Sequence, residues 1–208
     1  TDNVPVISGL RPVPVNGQSE DPKDPKFRQV DVEYLTTEKN ADIVFTVQNV
    51  DLVTVQVNGQ PVLTMAVDTN GNLVSNNPSV IVTNNGNIHS VRWANFTLDT
   101  GLTSFVVIAN KGSGTIQSSL LIRREMPPYR VLSPKLPEER VVNQNFLKIS
   151  IEAEGADRIV IDKNEMIKDD ASDIFRYELK NLKKGVNNIK FTVYRGQEAL
   201  NGSFEVNY

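Results

Sequence analysis

The sequence predicts an all-β chain of two β-sandwiches in tandem, and two observations support this prediction. Apolar residues recur at every second position in short segments along the chain, whereas helical spacing is almost absent. In addition, residues 42–62 align without a gap with residues 146–166, which indicates that one strand plan occurs twice.

The repeat matches apolar and glycine positions in the two halves of the chain. Phe45, Val47, Val55 and Val57 correspond to Ile149, Ile151, Ile159 and Ile161. Further along, Gly101, Leu102, Phe105, Val107, Ala109 and Gly112 correspond to Gly185, Val186, Ile189, Phe191, Val193 and Gly196, and Leu120 and Ile122 correspond to Phe204 and Val206. This pattern favours two copies of one β-domain over a single large domain.

Met126-Pro127-Pro128 marks the predicted boundary, because proline donates no hydrogen bond to a sheet and favours extended backbone. Charged residues are about twice as frequent after residue 126 as before it, which suits two separate surfaces. We therefore predict a first domain over residues 1–126, with an N-terminal extended arm and an asparagine-rich insertion, and a second domain over residues 127–208.

In the first domain, the proline-rich residues 1–26 predict an extended arm with a short edge strand at residues 4–9. Val30, Val32 and Tyr34 alternate with polar residues and predict a half-buried strand. Strands follow at about 42–49, 53–58 and 61–67, the last two joined by an Asn58-Gly59 type I′ turn. The asparagine-rich residues 68–87 predict a long loop around a short strand at 80–83, and three further strands lie within 91–98, 105–109 and 115–122.

In the second domain, each predicted strand has one apolar and one polar face. Leu147, Ile149 and Ile151 alternate with polar residues, as do Phe175, Tyr177 and Leu179. This alternation is expected when two antiparallel sheets pack face to face.

Composition excludes several classes of function. The chain has no cysteine, so disulfides, thiolate metal sites and cysteine nucleophiles are all excluded. A net charge of −3 offers no general basic surface, which makes nucleic acid an unsuitable partner. No segment approaches the roughly 18 apolar residues of a membrane span, and the first residues lack the charged-then-apolar layout of a signal peptide.

The second half resembles the bacterial immunoglobulin-like modules of surface and secreted proteins. The resemblance is carried by a strand and hairpin at residues 160–164, an aromatic strand at 175–179, and the stretch from Gly185 to Phe191. Residues 55–60 and 101–105 keep the pattern more loosely in the first half. The resemblance implies immunoglobulin-like β-sandwiches and an extracellular or cell-surface location on a bacterium, but such modules serve as spacers, adhesins, enzyme accessories and filament subunits alike.

Candidate catalytic groups are weak in this sequence. His89, the one histidine, is predicted to be an exposed loop residue, and Ser113 lies in a predicted hairpin turn, so a hydrolytic triad is disfavoured. The acidic residues Glu138, Glu139, Asp169, Asp170 and Asp173 are expected to be solvated loop residues and not a glycosidase pair.

Candidate binding residues are equally weak. Asp68, Asn70 and Asn72 place oxygen atoms at alternate positions, as calcium loops do, but the early glycine favours a turn and leaves calcium binding open. The glycan-acceptor patterns at Asn95 and Asn201 carry no weight in an asparagine-rich chain. We assign no catalytic, cofactor-binding or metal-binding residue.

Four aromatic residues bear on carbohydrate binding. Trp93, Tyr129, Tyr194 and Tyr208 offer a stacking platform for sugars in principle, but a lone tryptophan in a sandwich strand is more often a core residue. Tyr194 is out of step with its apolar neighbours and is predicted to face outward.

The sequence therefore predicts a non-catalytic structural or adhesion protein of the cell exterior. We expect protein partners, either other subunits or neighbouring domains, and self-assembly by addition of edge strands with the N-terminal arm as donor. The alternative is a carbohydrate-binding or accessory module of a larger secreted enzyme.

Overall fold

The computed structural model describes residues 4–208, which form two compact units. The first unit ends at Glu125 and the second spans Met126–Tyr208. All regular elements among the described residues are β-strands, so the all-β prediction is confirmed. Within this part of the chain there is no helix of the length and apolarity that crossing a membrane requires.

The first unit is a sandwich of a four-stranded and a seven-stranded sheet. Its strands are β1 (Val6–Val13), β2 (Arg28–Val30), β3 (Glu33–Thr36), β4 (Asn40–Gln48), β5 (Leu52–Val57), β6 (Gln60–Val67), β7 (Leu73–Val74), β8 (Val80–Asn85), β9 (Ile88–Thr97), β10 (Gly101–Lys111) and β11 (Gly114–Arg124). The smaller sheet has the order β1-β4-β9-β8 and the larger has the order β2-β3-β11-β10-β5-β6-β7. The β3–β11 pair is parallel, and the other pairs of these two sheets are antiparallel.

The second unit is a sandwich of two four-stranded sheets. Its strands are β12 (Arg130–Ser133), β13 (Leu147–Glu152), β14 (Arg158–Ile161), β15 (Asn164–Glu165), β16 (Ile167–Lys168), β17 (Ile174–Leu179), β18 (Val186–Arg195) and β19 (Glu198–Asn207). One sheet has the order β12-β13-β17-β16 and the other has the order β15-β14-β18-β19.

Each unit has its own hydrophobic core, built from the apolar rows that the repeat predicts. In the first unit the buried rows include Phe45, Val47, Val53, Val55, Phe105, Val107, Ala109, Leu120 and Ile122. In the second unit they include Ile149, Ile151, Ile159, Ile161, Ile189, Phe191, Val193, Phe204 and Val206. Period-two spacing therefore identified the inward faces of these strands correctly.

The edge strand predicted at residues 4–9 is present in the N-terminal segment and is longer than predicted. Residues 6–13 form β1, which pairs with β4 from Val6 opposite Gln48 to Val13 opposite Asp42. β1 is an edge strand, and an edge position accommodates proline because one side of the strand makes no ladder hydrogen bonds. These residues are therefore part of the first sandwich and are not available as a strand donor in this fold.

The predicted half-buried strand from Val30 to Tyr34 is wrong. A tight turn at Asp31, which has a φ of 55°, divides this stretch into β2 and β3. Val30 and Val32 are 42% and 76% exposed, so the apolar alternation does not mark a buried face here.

The Asn58-Gly59 hairpin is confirmed. Asn58 and Gly59 have φ values of 51° and 81°, as a type I′ turn requires at both central positions. In the asparagine-rich insertion the structure adds the short strand β7 and extends the predicted strand at 80–83 to Asn85.

The two copies differ in one register. The hairpin turns at residues 58–59 and 162–163 are equivalent, as the ungapped alignment requires, and so are those at 112–113 and 196–197. However, Val107 pairs with Val55 in the first unit, whereas its counterpart Phe191 pairs with Ile161 and not with Ile159. The pairing of these two strands is therefore shifted by two residues between the copies. An even shift leaves the inward face unchanged.

Candidate binding surfaces

His89 lies in strand β9 and is 2% exposed, so its prediction as an exposed loop residue is wrong. Its side chain follows the inward row of Val91 and Trp93. Its Nδ1 lies 2.6 Å from the Oδ1 of Asn84, and burial lowers the pKa of His89 below its usual value of 6.5. Because an amide oxygen only accepts, Nδ1 carries the proton of this hydrogen bond. The hydrogen-bond partner of the His89 side chain is thus Asn84. Ser113, the serine considered for a triad, lies in the β10–β11 turn.

Two of the five acidic residues considered above make local side-chain contacts. Asp169 accepts a hydrogen bond from Arg176 at 2.6 Å, and Glu139 accepts one from the backbone N–H of Lys135 at 3.3 Å. Across residues 4–208 there is no group of three histidine or acidic side chains arranged to hold a metal ion.

Asp68 closes a turn between β6 and β7. Its Oδ1 accepts hydrogen bonds from the backbone N–H groups of Asn70 and Asn72 at 2.9 and 3.0 Å. One carboxylate oxygen of Asp68 is therefore engaged by backbone donors, as in an Asx-turn.

The aromatic residues do not build a sugar platform around Trp93. Trp93 is 9% exposed and packs edge-on against Phe96, whose ring contacts Phe105 in turn, so the core prediction for Trp93 is confirmed. Tyr129 packs edge-on against Phe191 in the second unit. Tyr194 and Tyr208 are covered by cations: the Arg158 guanidinium carbon lies 4.0 Å and the Lys184 Nζ lies 4.2 Å from the respective ring centroids.

The first unit contains a buried ion pair that was not predicted. Asp42 is fully buried and accepts a hydrogen bond from Arg92 Nε at 2.6 Å. It also accepts bonds from the backbone N–H groups of Asn95 at 2.7 Å and Asn16 at 3.2 Å. Asp42 therefore ties the loop after β1 to β4 and β9. A carboxylate beside the apolar run of β4 was the available signal, because buried charges require partners.

The outer side of the seven-stranded sheet is the first candidate contact surface. Between the Asp51–Lys111 pair at one end and Arg123 at the other, the outward side chains of its strands β5, β6, β10 and β11 include no charged residue, and we call this set the uncharged face. It consists of Leu52, Thr54, Gln56, Val62, Thr64, Ala66, Ser104, Val106, Ile108, Asn110, Thr115, Gln117, Ser119 and Leu121.

The same side of the second unit is charged. By strand pairing, Val106 corresponds to Lys190, Leu121 to Glu205 and Leu52 to Arg158. The fold thus tolerates charges at these positions, and their absence from the first unit is a property of that copy alone. A comparison of outward positions between the repeats would have found this difference from sequence.

Strand β19 is the second candidate contact surface. It forms the edge of its sheet and pairs with β18 over ten residues without a bulge. Tyr208 exchanges both backbone hydrogen bonds with Gly185, so alternate residues of β19 direct their backbone groups away from β18. Asn207 is one of these, and its outward groups bond Arg140 and Val142.

The other residues of β19 whose backbone N–H and C=O groups point away from β18 are Ala199, Asn201, Ser203 and Glu205. Within the described residues, these edge-facing N–H and C=O groups make no backbone hydrogen bond. The other edges of the second unit are blunted, since β15 and β16 have two residues each and β12 contains a register shift. We call residues 199–205 the open edge of β19.

The strand orders define the class of protein. In the conventional lettering, one sheet of each unit has the order A-B-E-D and the other contains C′-C-F-G, which is the immunoglobulin-like arrangement. The chain is thus a tandem of two immunoglobulin-like β-sandwiches, as the resemblance implied.

Several solved structures are similar to this chain. A titin fragment of domains I67–I69, an E-to-A variant, shares 13% identity with a TM-score of 0.36; the match covers 100% of this chain and 66% of the fragment. The N-terminal Ig1-2 module of the Drosophila receptor protein tyrosine phosphatase DLAR shares 8% identity with a TM-score of 0.33, covering 98% of each chain. Bacteroides ovatus SGBP-B, solved with a mixed-linkage heptasaccharide, shares 13% identity with a TM-score of 0.32, covering 99% of this chain and 48% of that one. No protein-family model matches the sequence, and no curated protein is significantly similar to it.

Proposed function

We propose that this protein is a non-catalytic structural or adhesion protein of the cell exterior that assembles by addition of edge strands. The observation that carries the proposal is the open edge of β19, where four residues direct backbone donors and acceptors outward. An unbulged edge of this length is a template for pairing with another strand. Since β1 is committed to its own sandwich, the acceptor and the donor are both β19, each from one copy.

Antiparallel pairing of β19 with itself satisfies the outward groups without a conflict of charge. With Gly202 on the twofold axis, Asn201 of each copy faces Ser203 of the other, and Ala199 faces Glu205. No two like charges oppose each other in this register, and the amide of Asn201 lies opposite a hydroxyl. On the inward side Leu200, which is 40% exposed, faces Phe204 of the other copy.

The carbohydrate-binding alternative is the weaker candidate. It depended on Trp93 as a stacking residue, and that side chain lies in the core of the first unit.

Two double variants test the pairing. In N201E/S203E two pairs of like charges face each other across the twofold axis, whereas in N201K/S203E the pairs are of opposite charge. The variants differ only at position 201, whose neighbour in β18, Thr192, is uncharged. We expect self-association in sedimentation equilibrium to be at least about tenfold weaker for N201E/S203E than for N201K/S203E. Equal association of the two variants would exclude pairing through this edge.

A further inference from the structure

We infer that the uncharged face of the first unit packs against the same face of a second copy of this chain. This inference deepens the proposed function. It rests on that function in one respect, since both describe self-assembly of the chain. The contact uses the sheet face of the first unit, whereas the strand addition uses the backbone edge of the second.

Charge is the first reason for a second copy as the partner. Interface centres are depleted of charged residues, and the outward row of β10 places Val106 and Ile108 in the middle of this face. Around a twofold axis the same patch meets itself, so any net charge on the patch would repel the charge of the second copy. The uncharged face has no such charge.

The rim of the uncharged face supports the same partner. At one corner Arg123 donates two hydrogen bonds to Glu33, at 2.9 and 3.0 Å. At the other end Lys111 pairs with Asp51 at 3.0 Å. Because each of these rim charges is neutralised within the chain, the rim neither repels a second copy nor selects a charged partner.

The size of the surface suits the centre of a dimer contact. Four strands about 4.8 Å apart and seven residues at about 3.4 Å each give a patch of roughly 450 Å². This is about half of the roughly 800 Å² that each partner of a standard interface buries. The uncharged face would form the dry centre of the contact, and the flanking strands with their paired charges would form the rest.

The second unit provides a comparison within the same molecule. Its equivalent face carries Arg158, Lys190 and Glu205, which would be costly to desolvate. The two faces share one fold, so the loss of charge in the first unit is not required for folding. A buried contact gives that loss a physical reason.

The two contacts together give each copy two different neighbours. Each contact is twofold, and each uses a separate surface of the chain. Copies joined alternately through the uncharged face and through the open edge of β19 therefore form assemblies larger than a dimer.

Substitution of Val106 tests the inference on the full chain. Val106→Lys introduces the residue that the second unit carries at the equivalent position, so folding should be preserved. We expect the face contact to weaken by at least about tenfold, because an ammonium group would enter the dry centre of the interface. Val106→Thr, which is β-branched and uncharged, is the matched control and should weaken the contact by less than about threefold.

Sedimentation velocity of four proteins separates this contact from strand addition. The wild type is expected to grow beyond the dimer with concentration, V106K and N201E/S203E should each stop at the dimer, and the combined variant should be monomeric. If V106K assembles like the wild type, the face inference is overturned whatever the edge variant does. If V106K stops at the dimer while N201E/S203E assembles like the wild type, the face inference stands and strand addition through β19 fails. A wild type that remains monomeric overturns both, and circular dichroism must confirm that all four proteins are folded.

Discussion

At Gly202, the close approach of two aromatic rings leaves no space for a side chain. A Cβ atom built at this position would lie 2.5 Å from Cε2 and Cζ of Phe191 and 2.9 Å from Cε1 of Tyr129. In the first unit Val107 replaces Phe191 and Ser118 replaces Gly202. The smaller residue in one strand is therefore accompanied by a larger residue in the other. Volume is thus distributed differently over the same two positions in the two copies.

We expect Gly202→Ala to destabilise the second unit by about 1–3 kcal/mol, because the rings must move to admit the methyl group. The cost of the same substitution should be smaller when Phe191→Val is already present, since the valine is shorter. Urea unfolding followed by circular dichroism measures both effects as a double-mutant cycle. The fluorescence of Trp93, which lies in the first unit, is the internal control; additive effects of the two substitutions would contradict this packing account.

His89 makes the stability of the first unit dependent on pH. Burial lowers the pKa of His89, so the folded state takes up a proton less readily than the unfolded state. The contribution of His89 is therefore fully present above its usual pKa of 6.5 and is lost as the pH falls from that value towards the lower folded pKa. His89→Gln should remove this dependence.

Unfolding monitored by Trp93 fluorescence between about pH 7.5 and 5 tests this prediction. His89 is the one histidine of the chain, so no other histidine contributes in this window. Glu33 and Asp51 have pKa values lowered by hydrogen bonds, from Arg123 for Glu33 and chiefly from the Gly112 N–H for Asp51, so their contributions are lost only below their usual values of 4.5 and 3.8. Identical pH profiles for the wild type and the variant would show that His89 does not titrate differently on folding.

The prediction for His89 failed because the neighbouring asparagines suggested a loop. His89, Val91 and Trp93 occupy every second position of one strand, and this spacing indicates that His89 faces the core. By contrast, Asp42 lies beside an apolar run, which indicates that a buried carboxylate needs partners. The partners Arg92 and Asn16 are distant in sequence, and no local pattern specifies them.

At the scale of elements, turns and apolar faces were predictable and pairing registers were not. Asn58-Gly59 specifies its hairpin through backbone geometry, which is a local property. The two-residue shift between the copies keeps every apolar residue on its own face, so alternation alone cannot detect it. The structure reveals it through Asp51 and Asp157, which accept hydrogen bonds from the N–H groups of the equivalent glycines Gly112 and Gly196.

The N-terminal segment shows the limit of reading proline as a sign of unstructured chain. Pro12 lies within β1, opposite Ile43 of β4. An edge strand has one side without ladder bonds, and proline costs little there. For this reason deletion of residues 1–26 would remove a strand of the first sandwich, and substitutions in β19 are the cleaner test of assembly.

For the whole molecule, the character of the two contacts predicts their response to salt. In N201E/S203E, where association proceeds through the uncharged face, raising sodium chloride from about 0.05 to 1 M should change the dissociation constant by less than about threefold. Sulfate should tighten the same contact, because it is excluded from protein surfaces and favours burial. Sedimentation equilibrium in the two salts measures both responses, and a steep weakening in sodium chloride would indicate a charged interface instead.

The charges on the second unit also bear on the form that such an assembly would take. If both units had a sheet face that binds a second copy, each molecule would have three contact surfaces. Molecules with three neighbours would crosslink the assembly into a gel. The charges of Arg158, Lys190 and Glu205 on the second unit would remove one of those contacts. Divergence of a duplicated module would in this way limit each molecule to two neighbours.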